Sequence, residues 1–518
     1  MNTQKLSPIL ALTGLCLAVY GYCPSAQAAE FCADAYSVDV TLPNGARWDL
    51  CWEHRAREGI VLHKIHYTPR SGERRMVLNS AGLAQIHVPY DDNGARYHDI
   101  SDYGLGGAYM DNLGSTDCEG GELLAYDGKN VLCKQQEQAS NGFQYSDDSL
   151  QGNAFTLFSV SKIGSYNYIP LWRFFDDGAI EPSVGATGAL QRYGNGSLDD
   201  RGWLVAENKV GIAHIHNFFW RLDFDLVGTG TDDYVEELNF TQGDNQVAIH
   251  KQRLAVESAR NVSPAELRRW RVVDGGKTNA KGLPVSYEIR LPQSDHQDVG
   301  PDSEPFTYND IYFTRHKACE LYASHNPTMS GCAENLSAFT DGEALTGQDL
   351  VVWPSTTFYH MPRAEDSPRM DAHWSSISLV PRDWHDRNPL SDVADISGSD
   401  LVDGGGTGSG TGTGTGNGNG SGTGTGNGTG NGSGTGTGNG TGSGTGNGTG
   451  SGTGNGSGSG TGTGNGTGSG GNGSGSGTGT GTLQPIVISR GGGGGSFDLG
   501  ALLGLLSLFM LRRFTRSR

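Results

Sequence analysis

Between residues 30 and 400 the chain has no long stretch of helical period, and its apolar positions gather instead into short β-rich runs. Examples are Gly59-Ile-Val-Leu-His-Lys-Ile-His-Tyr67, Ala154-Phe-Thr-Leu-Phe-Ser-Val160 and Arg221-Leu-Asp-Phe-Asp-Leu226, with Asp, Asn and Gly turns between them. Repeated strands and turns at this density predict a mainly β fold, a large antiparallel β-sandwich with few helices. One helix is expected near Ser263 to Arg271, where Ser-Pro-Ala-Glu-Leu reads as an N-cap followed by proline. No internal repeat and no break in composition divides this body.

The pattern fails at both ends. Residues 1–29 begin with a short polar stretch containing Lys5, continue in an apolar run from Leu6 to Tyr20 and finish at Ala26-Gln27-Ala28, the form of a secretory signal peptide. Export is therefore expected, and the body is assigned to residues 30–403. Residues 404–482 hold 41 of the chain's 83 glycines, interleaved with Thr, Asn and Ser. Such a tract has no apolar side chains to bury and is expected to be a disordered tether, with an end-to-end distance of roughly 50 Å. Residues 483–518 carry five glycines at Gly491 to Gly495, a short apolar stretch from Leu499 to Leu511 and a basic end beginning Arg512-Arg513. This end resembles the GlyGly-CTERM class of bacterial sorting signals, which implies a rhomboid-like protease as partner, a transient or permanent membrane segment and a body held in the cell envelope, on the surface or secreted. A permanent C-terminal anchor is the alternative.

The body has 31 Lys and Arg against 55 Asp and Glu, a net charge of −24. That balance argues against nucleic acid or an anionic membrane surface as its partner, since it repels phosphate. Six cysteines remain after the leader, Cys32, Cys51, Cys118, Cys133, Cys319 and Cys332. An even number in an exported chain reads as disulfides. Pairing of neighbours is one of fifteen possibilities, and spacing alone leaves the choice open.

The strongest local chemistry is Ala213-His214-Ile215-His216-Asn217-Phe218. On a strand, residues two apart share a face, so His214 and His216 offer two imidazoles side by side, half of a metal site. The segment from His214 to Asp225 resembles the H-x-H segment of copper amine oxidases, and further segments match that family in order: Arg57 to His63 with Val88-Pro89-Tyr90, Asp99 to Gly106, Lys162 to Trp172 with Gly185 to Gly188, and Asp349 to Trp353 with His360 to Asp366. The resemblance runs from about residue 45 to 395.

By this resemblance His214, His216 and His360 are copper(II) ligands, a donor type that suits the metal. Tyr166 is the tyrosine converted to topaquinone, Asp99 the catalytic base, and Tyr90 the residue that hydrogen-bonds the cofactor. Asp223, Asp225 and Asp349, with the Phe224 and Leu350 carbonyls, form a second site whose oxygen ligands favour calcium. The frame around Cys118 and Cys133 supports their bridge. The implied reaction is oxidative deamination of primary amines by O₂ to aldehyde, ammonia and hydrogen peroxide, in a homodimer with exchanged hairpin arms. The chain departs from the family at Lys162, Ser165 and Asn167 around the cofactor position, in a short interval between Tyr90 and Asp99, and in lacking preceding smaller domains. The altered Ser165-Tyr166-Asn167 motif motivates an alternative, a non-catalytic surface binding protein with the same fold. A zinc hydrolase built on the histidines leaves Tyr166 and Asp99 without a role.

Overall fold

A computed structural model of the chain describes residues 32–145, 148–243, 247–292, 304–328 and 332–392. The expected leader at 1–29, the tether at 404–482 and the sorting end at 483–518 lie outside the described residues. Among the described residues nearly all regular structure is strand, every paired strand runs antiparallel, and the α-helices are single turns, Asp99–Asp102 and Leu336–Phe339.

Two large sheets carry the fold. A nine-stranded sheet runs in the order Ser37–Thr41, Arg47–Arg55, Gly59–Thr68, Arg75–Pro89, His214–Phe224, Leu350–His360, Ile311–Arg315 and Ser258–Arg260, with Arg96–His98 paired to Arg75–Pro89. A twelve-stranded sheet has Tyr166–Phe175 and Ile180–Gly188 near its middle. Their inner faces meet through large side chains: Trp172 packs edge-on against Trp220 at 5.1 Å, and Phe174 lies 5.1 Å from Trp48. Trp48 also donates its indole N–H to the Phe175 carbonyl at 2.8 Å, which satisfies a polar atom that the core would otherwise strand.

The strand His214–Phe224 is buried on both faces. Phe218 and Trp220 join the inter-sheet core, while Phe219 belongs to a second cluster with Trp353, Phe306 and Phe339 on the outer face. A central strand covered on both sides has no solvent face, so its sequence reads as a continuous apolar run interrupted by chemistry.

The helix expected at Ser263 to Arg271 is not formed. Ser263 caps a single turn, its carbonyl accepting from Glu266 and Arg268, and Leu267 leaves it with φ of +48°. The backbone from Arg269 then pairs with Tyr234–Gln242, so a sheet ladder replaces the helical bonds that the capping signal announced. The cysteines pair as 32 with 51, 118 with 133 and 319 with 332.

Candidate active site

Strand register builds the imidazole cluster. His214 lies directly opposite His360 on the neighbouring strand, and His216 follows two residues along the same face as His214. The His214 ring centroid is 4.9 Å from both His216 and His360, and one nitrogen from each of the three rings lies within 4.8 Å of the others. All three side chains are buried.

Two of the three rings are oriented by a partner on the far side. His214 Nδ1 meets the Ile212 carbonyl at 3.0 Å, which leaves Nε2 facing the cluster. His360 Nε2 meets Asp366 Oδ2 at 3.0 Å, which leaves Nδ1 facing inward. His216 Nε2 is buried with no hydrogen-bond partner among the described residues. Burial lowers the pKa of all three, that of His214 to about 3, and the neighbouring imidazoles push His214 and His216 further the same way. Neutral imidazoles with fixed outer contacts and an unpartnered inner nitrogen fit a transition metal.

Tyr166 comes from the opposite sheet. It follows a turn in which Gly164 takes φ of +62°, and Gly188 allows the close strand contact behind it, since a Cβ there would strike the Ser165 carbonyl. Its hydroxyl meets His214 Nε2 at 2.8 Å and His360 Nδ1 at 3.1 Å. The tyrosine thus points at the nitrogens that a metal would use.

Asp99 opens the one-turn helix Asp99–Asp102 and is 4 % exposed. Burial raises its pKa to about 7, against the opposing effect of the Tyr168 hydroxyl, which donates to Asp99 Oδ2 at 2.7 Å. Asp99 and Tyr166 line one cavity of about 170 Å³ with Tyr90, Tyr97, Tyr103, Tyr109 and Tyr168. Tyr90 enters as a ring stacked on His214 at 4.3 Å. Sequence reading thus assembled Asp99, Tyr166, Tyr90 and the three histidines, and the fold brings all six together. It missed Tyr168, Asp366 and the aromatic wall. Tyr168 was legible as the same-face neighbour of Tyr166, two residues along its strand.

The second cluster forms at the other end of the same strand pair, where Phe224 opposes Leu350. Asp223 Oδ1 and Asp349 Oδ1 are buried without hydrogen-bond partners among the described residues, and a side chain at Gly230 would strike Asp225 Oδ1 and Asp349 Oδ1. Converging carboxylate oxygens of this kind fit a cation. His316, which the sequence reading did not include, lies 3.8 Å from both Asp223 and Asp349.

Residues 44–398 match the family model described as copper amine oxidase, enzyme domain. A histamine oxidase from Arthrobacter globiformis is 28% identical over 429 residues, covering 72% of this chain and 62% of that protein. A primary amine oxidase from Klebsiella aerogenes is 26% identical, covering 68% of this chain and 53% of its own length. The chain therefore spans less than two thirds of the length of these relatives. Among solved structures, a copper-containing benzylamine oxidase from Hansenula polymorpha superposes with a TM-score of 0.59 at 21% identity, covering 68% of this chain and 62% of that one, a likeness of fold.

Proposed function

The chain belongs to the copper amine oxidase family, and from that premise we propose that it oxidatively deaminates primary amines with O₂, yielding aldehyde, ammonia and hydrogen peroxide. The observation that carries this reading is the Tyr166 hydroxyl held between His214 and His360, with a buried carboxylate of raised pKa in the same cavity. His214, His216 and His360 would hold copper, and Tyr166 would become topaquinone; when present, the two would supply the redox chemistry between amine and O₂.

The chain's own residues do the rest. Asp99 accepts the proton from the carbon beside the amine nitrogen, and a pKa of about 7 makes it a stronger base than an exposed aspartate while leaving it largely ionised above neutrality. The Tyr168 hydroxyl fixes Oδ2 of that carboxylate and leaves Oδ1 for the substrate. Tyr90 braces His214 by stacking. Asp366 sets the His360 ring, so its inner nitrogen stays a lone-pair donor. Burial of Asp99 at the floor of the cavity keeps water from the base.

Calcium at Asp223, Asp225 and Asp349, with the Phe224 and Leu350 carbonyls, fits the orphaned carboxylate oxygens. Export fits the three disulfides, which persist in oxidising compartments. A homodimer would cover the hairpin of Tyr234–Gln242 and Val247–Arg253, whose second strand is exposed along its whole length.

The test is aerobic copper loading of the purified chain. A quinone absorbance, reaction with phenylhydrazine, oxygen gained in the Tyr166 peptide and hydrogen peroxide released from amines are expected. Tyr166→Phe removes all four, and a Tyr166→Phe chain with full activity would overturn the proposal.

A further inference from the structure

On the opposite face of the nine-stranded sheet from the triad, a second pair of imidazoles is built into the register. His87 on the strand Arg75–Pro89 lies directly across from His98 on Arg96–His98, and their ring centroids are 5.1 Å apart. His87 is also in register with Asn217, which points away from the face carrying His214 and His216. Both histidines are buried beside Phe306.

Glu304 reaches into this pair. Its Oε2 lies 2.5 Å from His87 Nε2, and its two oxygens lie 3.0 and 3.1 Å from His98 Nε2. Of the outer nitrogens, His87 Nδ1 has a hydrogen-bond partner, the Asn217 amide at 3.0 Å, while the nearest carboxylate oxygen to His98 Nδ1, Asp102 Oδ2, is 3.9 Å away, beyond hydrogen-bond reach. An amide turned about its axis presents oxygen instead of nitrogen from the same position, so Asn217 can accept Nδ1–H when a metal takes the place of the proton that His87 Nε2 shares with Glu304. Arg96 Nε, 3.2 Å from Glu304 Oε1, occupies the second carboxylate oxygen and leaves Oε2 as the natural single ligand. The His325 ring lies 4.1 Å from that of His98, and its Nδ1 is 3.3 Å from Asp102 Oδ1.

We propose that His87, His98 and Glu304 form a second transition-metal site, separate from the imidazole triad and suited to zinc. Two imidazoles and one carboxylate, with water in the fourth position, are a donor set that zinc accepts, and the Asn217 amide behind His87 is a contact of the kind that orients such a ligand. The site holds strand Arg96–His98 against the turn that begins at Glu304. Because His98 directly precedes Asp99, bound metal stiffens the backbone that carries the base. The inference does not depend on the amine oxidase reading, since it needs neither copper nor modified Tyr166.

Zinc titration of the full chain tests it. Protein stripped by chelator and reloaded with copper is given zinc, dialysed and measured for both metals. Wild type is expected to retain one more zinc per chain than His98→Leu or Glu304→Gln, with copper equal in all three, and zinc should raise the melting temperature of wild type above its effect on either variant. His216→Ala should keep the extra zinc, which separates this site from the triad. Glu304→Gln preserves size and decides the matter if His98→Leu fails to fold. Equal zinc content in wild type and Glu304→Gln would overturn the assignment.

Discussion

Asp99 and Asp225 are carboxylates whose pKa values are both raised to about 7, and burial is the largest cause for each. Their surroundings differ. Asp99 receives a hydroxyl proton from Tyr168, which favours its charged form, and it lines a cavity large enough for a small substrate. Asp225 faces Asp223 and Asp349, whose charges oppose its ionisation. The same pKa thus arises from two designs. One carboxylate is desolvated but supported, which suits a group that must gain and lose a proton during turnover. The other is desolvated and repelled, which suits a group that ionises when a cation arrives.

Substitution at Asp99 should have the larger consequence. Asp99→Asn keeps the size and the Tyr168 contact but removes the base, and kcat is expected to fall by about 10² to 10⁴-fold. Copper content and quinone absorbance should stay at wild-type levels, because Asp99 reaches the triad only through the Tyr168 hydroxyl, whose hydrogen bond the asparagine can still accept. Steady-state kinetics beside metal analysis checks this. An unchanged kcat would show that the resemblance between Asp99 and Asp225 extends to their roles, and that neither is a base.

How far these roles were legible in the sequence follows from what kind of information each needs. Alternation and turn residues announced the strands, and His214 and His216 shared a face by spacing alone. His360 was reachable only through the resemblance, since its register with His214 is a long-range fact. The expected helix at Ser263 to Arg271 failed because a local cap competes with strand pairing that local sequence does not encode. Tyr168, Glu304 and His87 went unread for a related reason: each matters through a partner distant in sequence, such as Asp99 for Tyr168. The carboxylates of the second cluster were found, but their shared desolvation was invisible before folding.

At the acidic cluster the effect should fall on stability. In chain stripped by chelator, Asp225 has its ordinary pKa when unfolded, near 3.8, and about 7 when folded. The folded state therefore holds the proton more tightly, and stability is lost as pH rises from about 4 to about 7, then levels off. Asp225→Asn should remove that slope and stabilise the stripped protein at pH 8 by about 1 to 2 kcal/mol, a figure reduced for solvent screening. With calcium restored the order should reverse, wild type gaining more than the variant. Melting curves with and without calcium decide this, and a stripped Asp225→Asn protein less stable than wild type would show that the carboxylates attract some other cation or hydrogen bond.

The smallest expected effect lies in the support that distinguishes the two aspartates. Activity of the wild type should rise with pH through about 7 as Asp99 ionises, because only the carboxylate accepts a proton. The Tyr168 hydroxyl lowers the Asp99 pKa, so Tyr168→Phe leaves burial unopposed and should displace the rise in kcat/KM to higher pH. At high pH most of the wild-type rate should return, since the base is still present. A loss of rate equal at every pH would assign Tyr168 to packing alone. Displacement without loss at high pH would show that one hydroxyl separates a carboxylate poised to work as a base from one that is merely buried.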